Sequence, residues 1–245
     1  NTSVMLDYLH EGGASTLCDQ ILAPVGFGIY GGDIIVTDQQ GNLLWYAPDG
    51  SYGELVDFVN DLHIGFNPFG ITVAGDDFGS FGGKLLVSEA SVEPGYDGPR
   101  IIAVDAAGAV SDFAMINLFN GQMRLRQMTM APEGFLSDIG IDDQVLLVSV
   151  TASQYGGGLG TLIAVDESGS VVAHLKAGTS LSKFDPRGML IVGDTLLISD
   201  ASDPIIMAKG SDFTLGEPTA VPEPGSLATL AVGCIGFMLM RRRFK

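Results

Sequence analysis

The chain has 245 residues, with 29 Asp and Glu against 12 Lys and Arg, for a formal net charge of −17. Such an excess of negative charge argues against phosphate backbones and anionic lipid headgroups, so nucleic acid is set aside as a partner. The two cysteines, Cys18 and Cys234, do not make a disulfide framework, because Cys234 falls inside an apolar C-terminal stretch.

Glycine accounts for 34 residues, about twice its ordinary share, and is spread along the chain as in a fold with many tight turns. The sequence opens without an initiator Met or an N-terminal export segment, so it reads as a mature form or part of a longer polypeptide. The first stretch, Thr2 to Leu9, is a candidate strand.

Four segments then open with Pro-x-Gly-apolar: Pro24 to Phe27, Pro68 to Ile71, Pro132 to Phe135 and Pro186 to Met189. Each leads into an apolar run of one grammar: Asp33 to Asp38, Lys84 to Glu89, Val145 to Val150 and Thr195 to Asp200. Third elements follow at Asn42 to Pro48, Arg100 to Asp105, Thr161 to Asp166 and Pro204 to Lys209. Asp105/Gly108, Asp166/Gly169 and Pro48-Asp49-Gly50 are hairpin turns. Fourth strands are expected at Leu55 to Val59, Asp112 to Ile116 and Val171 to Leu175. The fourth copy is left with only Phe213 to Leu215 for its outer strands. Leu55, Val56, Phe58, Val59 and Leu62 also carry helical spacing, so a helix is the other reading there. Ser91 to Pro99 and Tyr155 to Gly160 are loops within the second and third copies.

Short strands in repeated groups of four predict an all-β, propeller-like fold of four recognisable blades over residues 1–218. Runs without polar alternation, such as Leu85-Leu86-Val87, suit strands covered on both faces by neighbouring blades. A β-sandwich is the alternative. The blade grammar resembles NHL- and SMP-30-like propellers, a likeness that bears on fold rather than activity.

Three of the four apolar runs, read as inner strands, end in a carboxylate: Asp38, Glu89 and Asp200; the third ends in Val150. Equivalent strand ends can converge on a propeller channel, and oxygen ligands there would suit Ca²⁺. The lactonases among SMP-30-like propellers are similar in using acidic and amide residues around a metal, but no matched Asn set accompanies the three carboxylates here. Strand-end carboxylates serving turns are the competing reading. His10, His63 and His174 lack zinc-site spacing, and no Gly-x-Ser-x-Gly elbow occurs, so no catalytic residue is assigned. Trp45 and Tyr46 are read as a core pair or as a carbohydrate-binding face.

The last segment, 219–245, has a different character. Val221-Pro222-Glu223-Pro224 disfavours regular helix. Gly225 to Met240 follows with sixteen uncharged residues, and Arg241-Arg242-Arg243-Phe244-Lys245 closes the chain. As a helix the apolar stretch spans about 24 Å against a hydrocarbon core of about 30 Å, and snorkelling Arg side chains make up length. A single transmembrane helix is expected, with the Arg cluster cytoplasmic and the preceding domain across the membrane. All 29 acidic residues and only eight of the Lys and Arg precede Gly225, so that domain carries −21.

Pro222, Glu223 and Pro224, the apolar helix and Arg241, Arg242 and Arg243 together resemble the PEP-CTERM sorting signal. The resemblance implies an exosortase, a membrane transpeptidase, that recognises and removes the tail. It implies an inner-membrane intermediate with a periplasmic domain, then release to the cell surface or a polysaccharide-containing matrix. The function expected is non-catalytic binding or structural support in that matrix. A metal-dependent lactonase-like enzyme and a polysaccharide-binding module are the alternatives.

Overall fold

The computed structural model describes residues 17–38, 40–60, 65–90, 98–118, 123–152, 160–175, 186–200 and 205–217. The strand expected at Thr2 to Leu9 and the expected transmembrane helix lie outside the described residues. Among the described residues there is no α-helix, only strands and short 3-10 turns.

Sixteen strands form four antiparallel sheets. Blade 1 runs β1 (Leu17–Leu22), β2 (Ile34–Asp38), β3 (Asn42–Tyr46) and β4 (Tyr52–Asp57). Blade 2 runs β5 (Pro68–Val73), β6 (Leu85–Glu89), β7 (Arg100–Val104) and β8 (Val110–Met115). Blade 3 contains β9 (Met123–Ala131), β10 (Val145–Ala152), β11 (Thr161–Val165) and β12 (Val171–Leu175). Blade 4 contains β13 (Pro186–Val192), β14 (Thr195–Asp200) and β15 (Ile206–Ala208). The first strands lie side by side, β5 between β1 and β9, and β9 between β5 and β13, so they line the axis of a four-bladed β-propeller.

Three expectations are corrected. The runs ending in Asp38, Glu89 and Asp200 are second strands, one step out from the axis. The Pro-x-Gly motif is not in phase: Pro68 and Pro186 open first strands, whereas Pro24 and Pro132 follow β1 and β9 in the loop to the second strand. Two short turn-forming triplets look alike in sequence yet serve different junctions. Finally, the blades do not hold four strands each. β16 (Phe213–Leu215) pairs with β12 as a fifth strand of blade 3, which leaves blade 4 with three among the described residues. Phe213 explains the return: it is fully buried in the blade 3–blade 4 core, edge-on to Phe135 at 6.3 Å. Burying a ring of that size is worth about 1.5–3 kcal/mol.

The helical reading also fails over its described part, Leu55 to Asn60, while Leu62 lies outside the described residues. Residues Tyr52–Asp57 form β4, and the Asp57 carboxylate then ends the strand by accepting the Val59 and Asn60 amides at 2.9 and 2.7 Å.

The core is the set of inter-blade layers. Ile35, Leu43 and Val56 of blade 1 meet Ile71, Leu85, Val87 and Ile102 of blade 2. Leu86, Ile101 and Ala103 meet Leu146, Val148 and Ile163 of blade 3. Leu147, Leu162 and Ala164 meet Leu196, Ile198 and Ala208 of blade 4. Every residue of β6 is buried, as expected for a strand covered on both faces. At the rim, the 3-10 turns begin on Gly28 and Gly79, with φ of +53° and +50°. A Cβ on Gly28 would stand 3.0 Å from Ala106 of blade 2, and one on Gly79 2.8 Å from Glu167 of blade 3. Each rim loop thus leans on a hairpin of the following blade, where only glycine combines the left-handed φ with the close approach.

Candidate functional site

The polar residues of the propeller gather at the first strands and at the adjoining ends of the second strands. Asp19 of β1 accepts the Ile71 amide of β5 through Oδ2 at 3.0 Å and the Gln20 amide through Oδ1 at 2.9 Å. The Gln127 side chain of β9 also bonds to its carboxylate. One side chain of blade 1 therefore ties blades 2 and 3. Burial pushes the Asp19 carboxyl above its ordinary value, and these hydrogen bonds only partly offset that. Beside it, the Arg126 guanidinium lies 4.6 Å over the Phe69 ring and donates through Nε to Thr151 Oγ1 at 3.4 Å.

A hydroxyl repeated in the second strands crosses each blade junction. Thr37 donates to the Phe69 carbonyl at 2.5 Å, Ser88 to the Arg126 carbonyl at 2.7 Å, and Ser149 to the Pro186 carbonyl at 3.4 Å. Ser88 also accepts the Gly70 amide at 2.8 Å. A Cβ on Gly70 would collide with the Arg126 carbonyl, so the approach of β5 to β9 requires glycine there.

Asp38, Glu89 and Asp200 occupy corresponding positions, each one residue beyond the crossing hydroxyl or its counterpart Ser199. Side chains alternate along a strand, so Asp38 and Glu89 turn toward the preceding blade. Val150, which stands there in β10, packs into the blade 2–blade 3 core. Asp38 is buried and its Oδ1 accepts the Gln40 amide. Its charge also raises the Tyr46 hydroxyl, behind the larger effect of burial. Glu89 is fully buried and engaged by Arg100, whose Nη2 lies 3.3 Å from Oε1, whose Nε lies 3.3 Å from Oε2, and whose amide donates to Oε2 at 2.9 Å. Arg100 in turn lies 5.5 Å over the Phe66 ring. Asp200 closes β14 opposite Pro186, and its side chain lies outside the described part. Among the described residues, no three His, Cys, Asp or Glu side chains are grouped to hold a metal ion.

The remaining sequence candidates serve the fold. Asp105 accepts the amides of Ala107 and Ala109 at 2.8 and 2.9 Å, and Asp166 those of Ser168 and Ser170 at 2.9 and 3.0 Å, holding the hairpin turns. Trp45 packs on the blade 1–blade 2 core and against Tyr30, and Tyr46 is buried. His174 Nδ1 lies 2.8 Å from the Gly216 carbonyl and joins β12 to the β16 segment. His10, His63 and the residues of the expected sorting signal lie outside the described residues. A cavity of about 430 Å³ opens between the Pro132–Asp138 loop and the Gly193, Asp194, Lys209 and Gly210 edge of blade 4. Within it Lys209 and Asp194 form an exposed ion pair at 2.7 Å.

Asp19, Gln127 and Arg126 had no motif to betray them. Their only signal is the polar character of β1 and β9, and it acquires meaning once those strands are known to be innermost.

Residues 220–243 match the PEP-CTERM protein-sorting motif. No curated protein matches the chain. Among solved structures, the Dos1 propeller is similar at 10% identity and a TM-score of 0.51, over 83% of this chain and 46% of that one. A structure of BBS1N in complex with ARL6DN is similar at 13% identity and a TM-score of 0.47, over 85% of this chain and 56% of that one. The chain thus spans about half the length of the structures it matches, and the likeness to the Dos1 propeller bears on the fold alone.

Proposed function

We propose that this chain is an exosortase substrate, exported through a membrane-anchored intermediate and delivered to the cell surface or extracellular matrix as a non-catalytic propeller. The match of residues 220–243 to the sorting motif carries this reading. Pro222, Glu223 and Pro224 and the Arg241, Arg242 and Arg243 cluster are the recognition elements. The apolar stretch between them is the temporary anchor, and the acidic domain up to residue 218 is the cargo. The logic is that of a tail read by an enzyme and then discarded.

The non-catalytic part of the reading is supported by how the buried polar groups at and beside the axis are spent. Glu89 is neutralised by Arg100, and Asp19 is held by Ile71, Gln20 and Gln127. Groups committed in this way, Glu89 within blade 2 and Asp19 across blades, leave little capacity for a substrate. The setting implied by the sorting route is a matrix containing polysaccharide, which the rims of the blades would meet.

Mass spectrometry of the protein recovered outside the cell tests the sorting function. The expected product ends upstream of Gly225. A released protein carrying an intact C-terminus through Lys245 would refute it.

A further inference from the structure

One end of the propeller gathers most of its negative charge. In each blade the connection from first to second strand and the turn after the third strand lie at the same end. The close approaches of Gly28 to Ala106, Gly79 to Glu167 and Gly210 to Phe135 join these connections across the three blade junctions. They comprise residues 23–33, 47–51, 74–84, 105–109, 132–144, 166–170, 193–194 and 209–212, all of them described. They hold thirteen Asp and Glu against two basic residues, Lys84 and Lys209, a net of −11. All of these acids except Asp33, Asp105 and Asp166 are exposed. Arg100, Arg124 and Arg126 lie toward the opposite end, in the first residues of β7 and β9.

The acidic end also carries a cavity, and its cause is a short connection. Blades 1 to 3 join their first two strands through 23–33, 74–84 and 132–144, each with a 3-10 turn, whereas blade 4 joins β13 to β14 through Gly193 and Asp194 alone. At the blade 2–blade 3 junction Gln144, just before β10, packs on Gly75. At the blade 3–blade 4 junction the counterpart of Gln144 is Asp194, at the tip of that hairpin. The space left there is the cavity of about 430 Å³, a volume in the range of small-ligand sites. Its polar side chains, Glu133, Ser137, Asp138, Asp194 and Lys209, are all exposed, and Phe135 is buried beneath them. It lies at an internal junction, away from the outer faces of blades 1 and 4.

We propose that this end of the propeller binds a polymer of amino sugars, with one amine-bearing ring seated in the blade 3–blade 4 cavity. Such a partner is met in the matrix proposed above, so the proposal rests on that reading for its setting. Charge sets the sign of the ligand. Carboxylates spread over several loops match ammonium groups repeated along a chain, and among the described residues no three of them are grouped to hold a metal ion. The lining sets its class. Lys209 Nζ lies 2.7 Å from Asp194 Oδ2, so the cavity presents a donor beside acceptors, as a ring of hydroxyls requires. With Lys209 bonded to Asp194, the Glu133 and Asp138 carboxylates serve the ammonium of the ring. A folded protein partner calls for an apolar centre, and the cavity lining offers no exposed apolar side chain beyond Pro132.

Isothermal titration calorimetry on the full chain in non-ionic detergent tests this with a short glucosamine oligomer. At about pH 5.5 its amines are charged and the carboxylates are ionised. Binding is expected, and it weakens as salt rises. Glu133→Gln with Asp138→Asn changes exposed side chains only, so the melting midpoint is kept while affinity falls about fivefold or more. Asp112→Asn with Glu217→Gln removes two exposed carboxylates outside this end and stays within about twofold of the parent. Absence of binding overturns the proposal, as does a cavity variant that binds like the parent. So does equal binding of the fully N-acetylated oligomer, which carries no amine. Tighter binding of an oligolysine of equal charge also overturns it and assigns this end to a basic protein. None of these readouts depends on tail removal, so failure here leaves the sorting function to its own test.

Discussion

Arg100 and Glu89 form a buried, bidentate ion pair between adjacent strands of blade 2, with both guanidinium contacts at 3.3 Å and the Arg100 ring contact to Phe66 closing the other side. A charge this deep is tolerable only because its partner is fixed beside it. Glu89→Gln leaves Arg100 buried with half its partner gone. We expect a loss of about 3–5 kcal/mol in urea unfolding. Replacing the pair together by Leu and Met should recover most of that loss. A Glu89→Gln variant as stable as the parent would contradict this account of the pair.

The same engagement sets the response to divalent cations. With Glu89 neutralised by Arg100 and Asp38 bonded to the Gln40 amide, melting should be unmoved by millimolar Ca²⁺ or by chelator. A rise of several degrees with Ca²⁺, lost in Asp38→Asn, would restore a metal role for Asp38, Glu89 and Asp200.

Ser88 joins β6 to both β5 and β9. Ser88→Ala removes its bond to the Arg126 carbonyl and strands the Gly70 amide in a dry junction, so a loss of about 1–3 kcal/mol is expected. Gly70→Ala should be worse, since the new methyl meets the Arg126 carbonyl directly. Denaturant midpoints measured side by side decide this; the reverse order would mean that β5 and β9 can separate at little cost.

Asp19 predicts a pH dependence of definite sign. Its carboxyl is raised above the ordinary carboxylate range, chiefly by burial. Below the unfolded value both states are protonated and folding bears no penalty. As pH climbs from there through the raised folded value, the unfolded state ionises first and stability falls. In Asp19→Asn this slope is absent. The stability of the parent relative to Asp19→Asn should therefore be greatest in acid and shrink as pH rises through that window. Chemical denaturation of both proteins across the acid range measures it, and a gap that widens with pH would reverse the assignment.

Replacing Pro222, Glu223 and Pro224 by alanines should leave the full chain in the membrane fraction, whereas the parent loses its tail. Fractionation with an antibody to the propeller reads this out. Release of the variant at the parental level would remove those residues from recognition.

The second strands and hairpin turns were legible because their cause is local. Buried strands need apolar runs, and an Asp or Gly at a hairpin is dictated by the backbone of that turn. The inner strands were harder to see. β1 and β9 hold Asp19, Arg124, Arg126 and Gln127, polar residues in strands that look unlike a core until they are placed at the axis.

Sequence alone determined the sorting tail, the acidic domain before it and the propeller class, since composition, a contiguous motif and short-range periodicity are all properties of neighbours in the chain. Tertiary structure alone decided the phase of the repeat, the return of Phe213 to blade 3, and the direction in which Asp38 and Glu89 face. Each depends on contacts between residues distant in sequence. Val150 and Glu89 stand at the same place in their blades, one satisfied by apolar packing and the other by Arg100, and only the neighbouring blade distinguishes what that place demands.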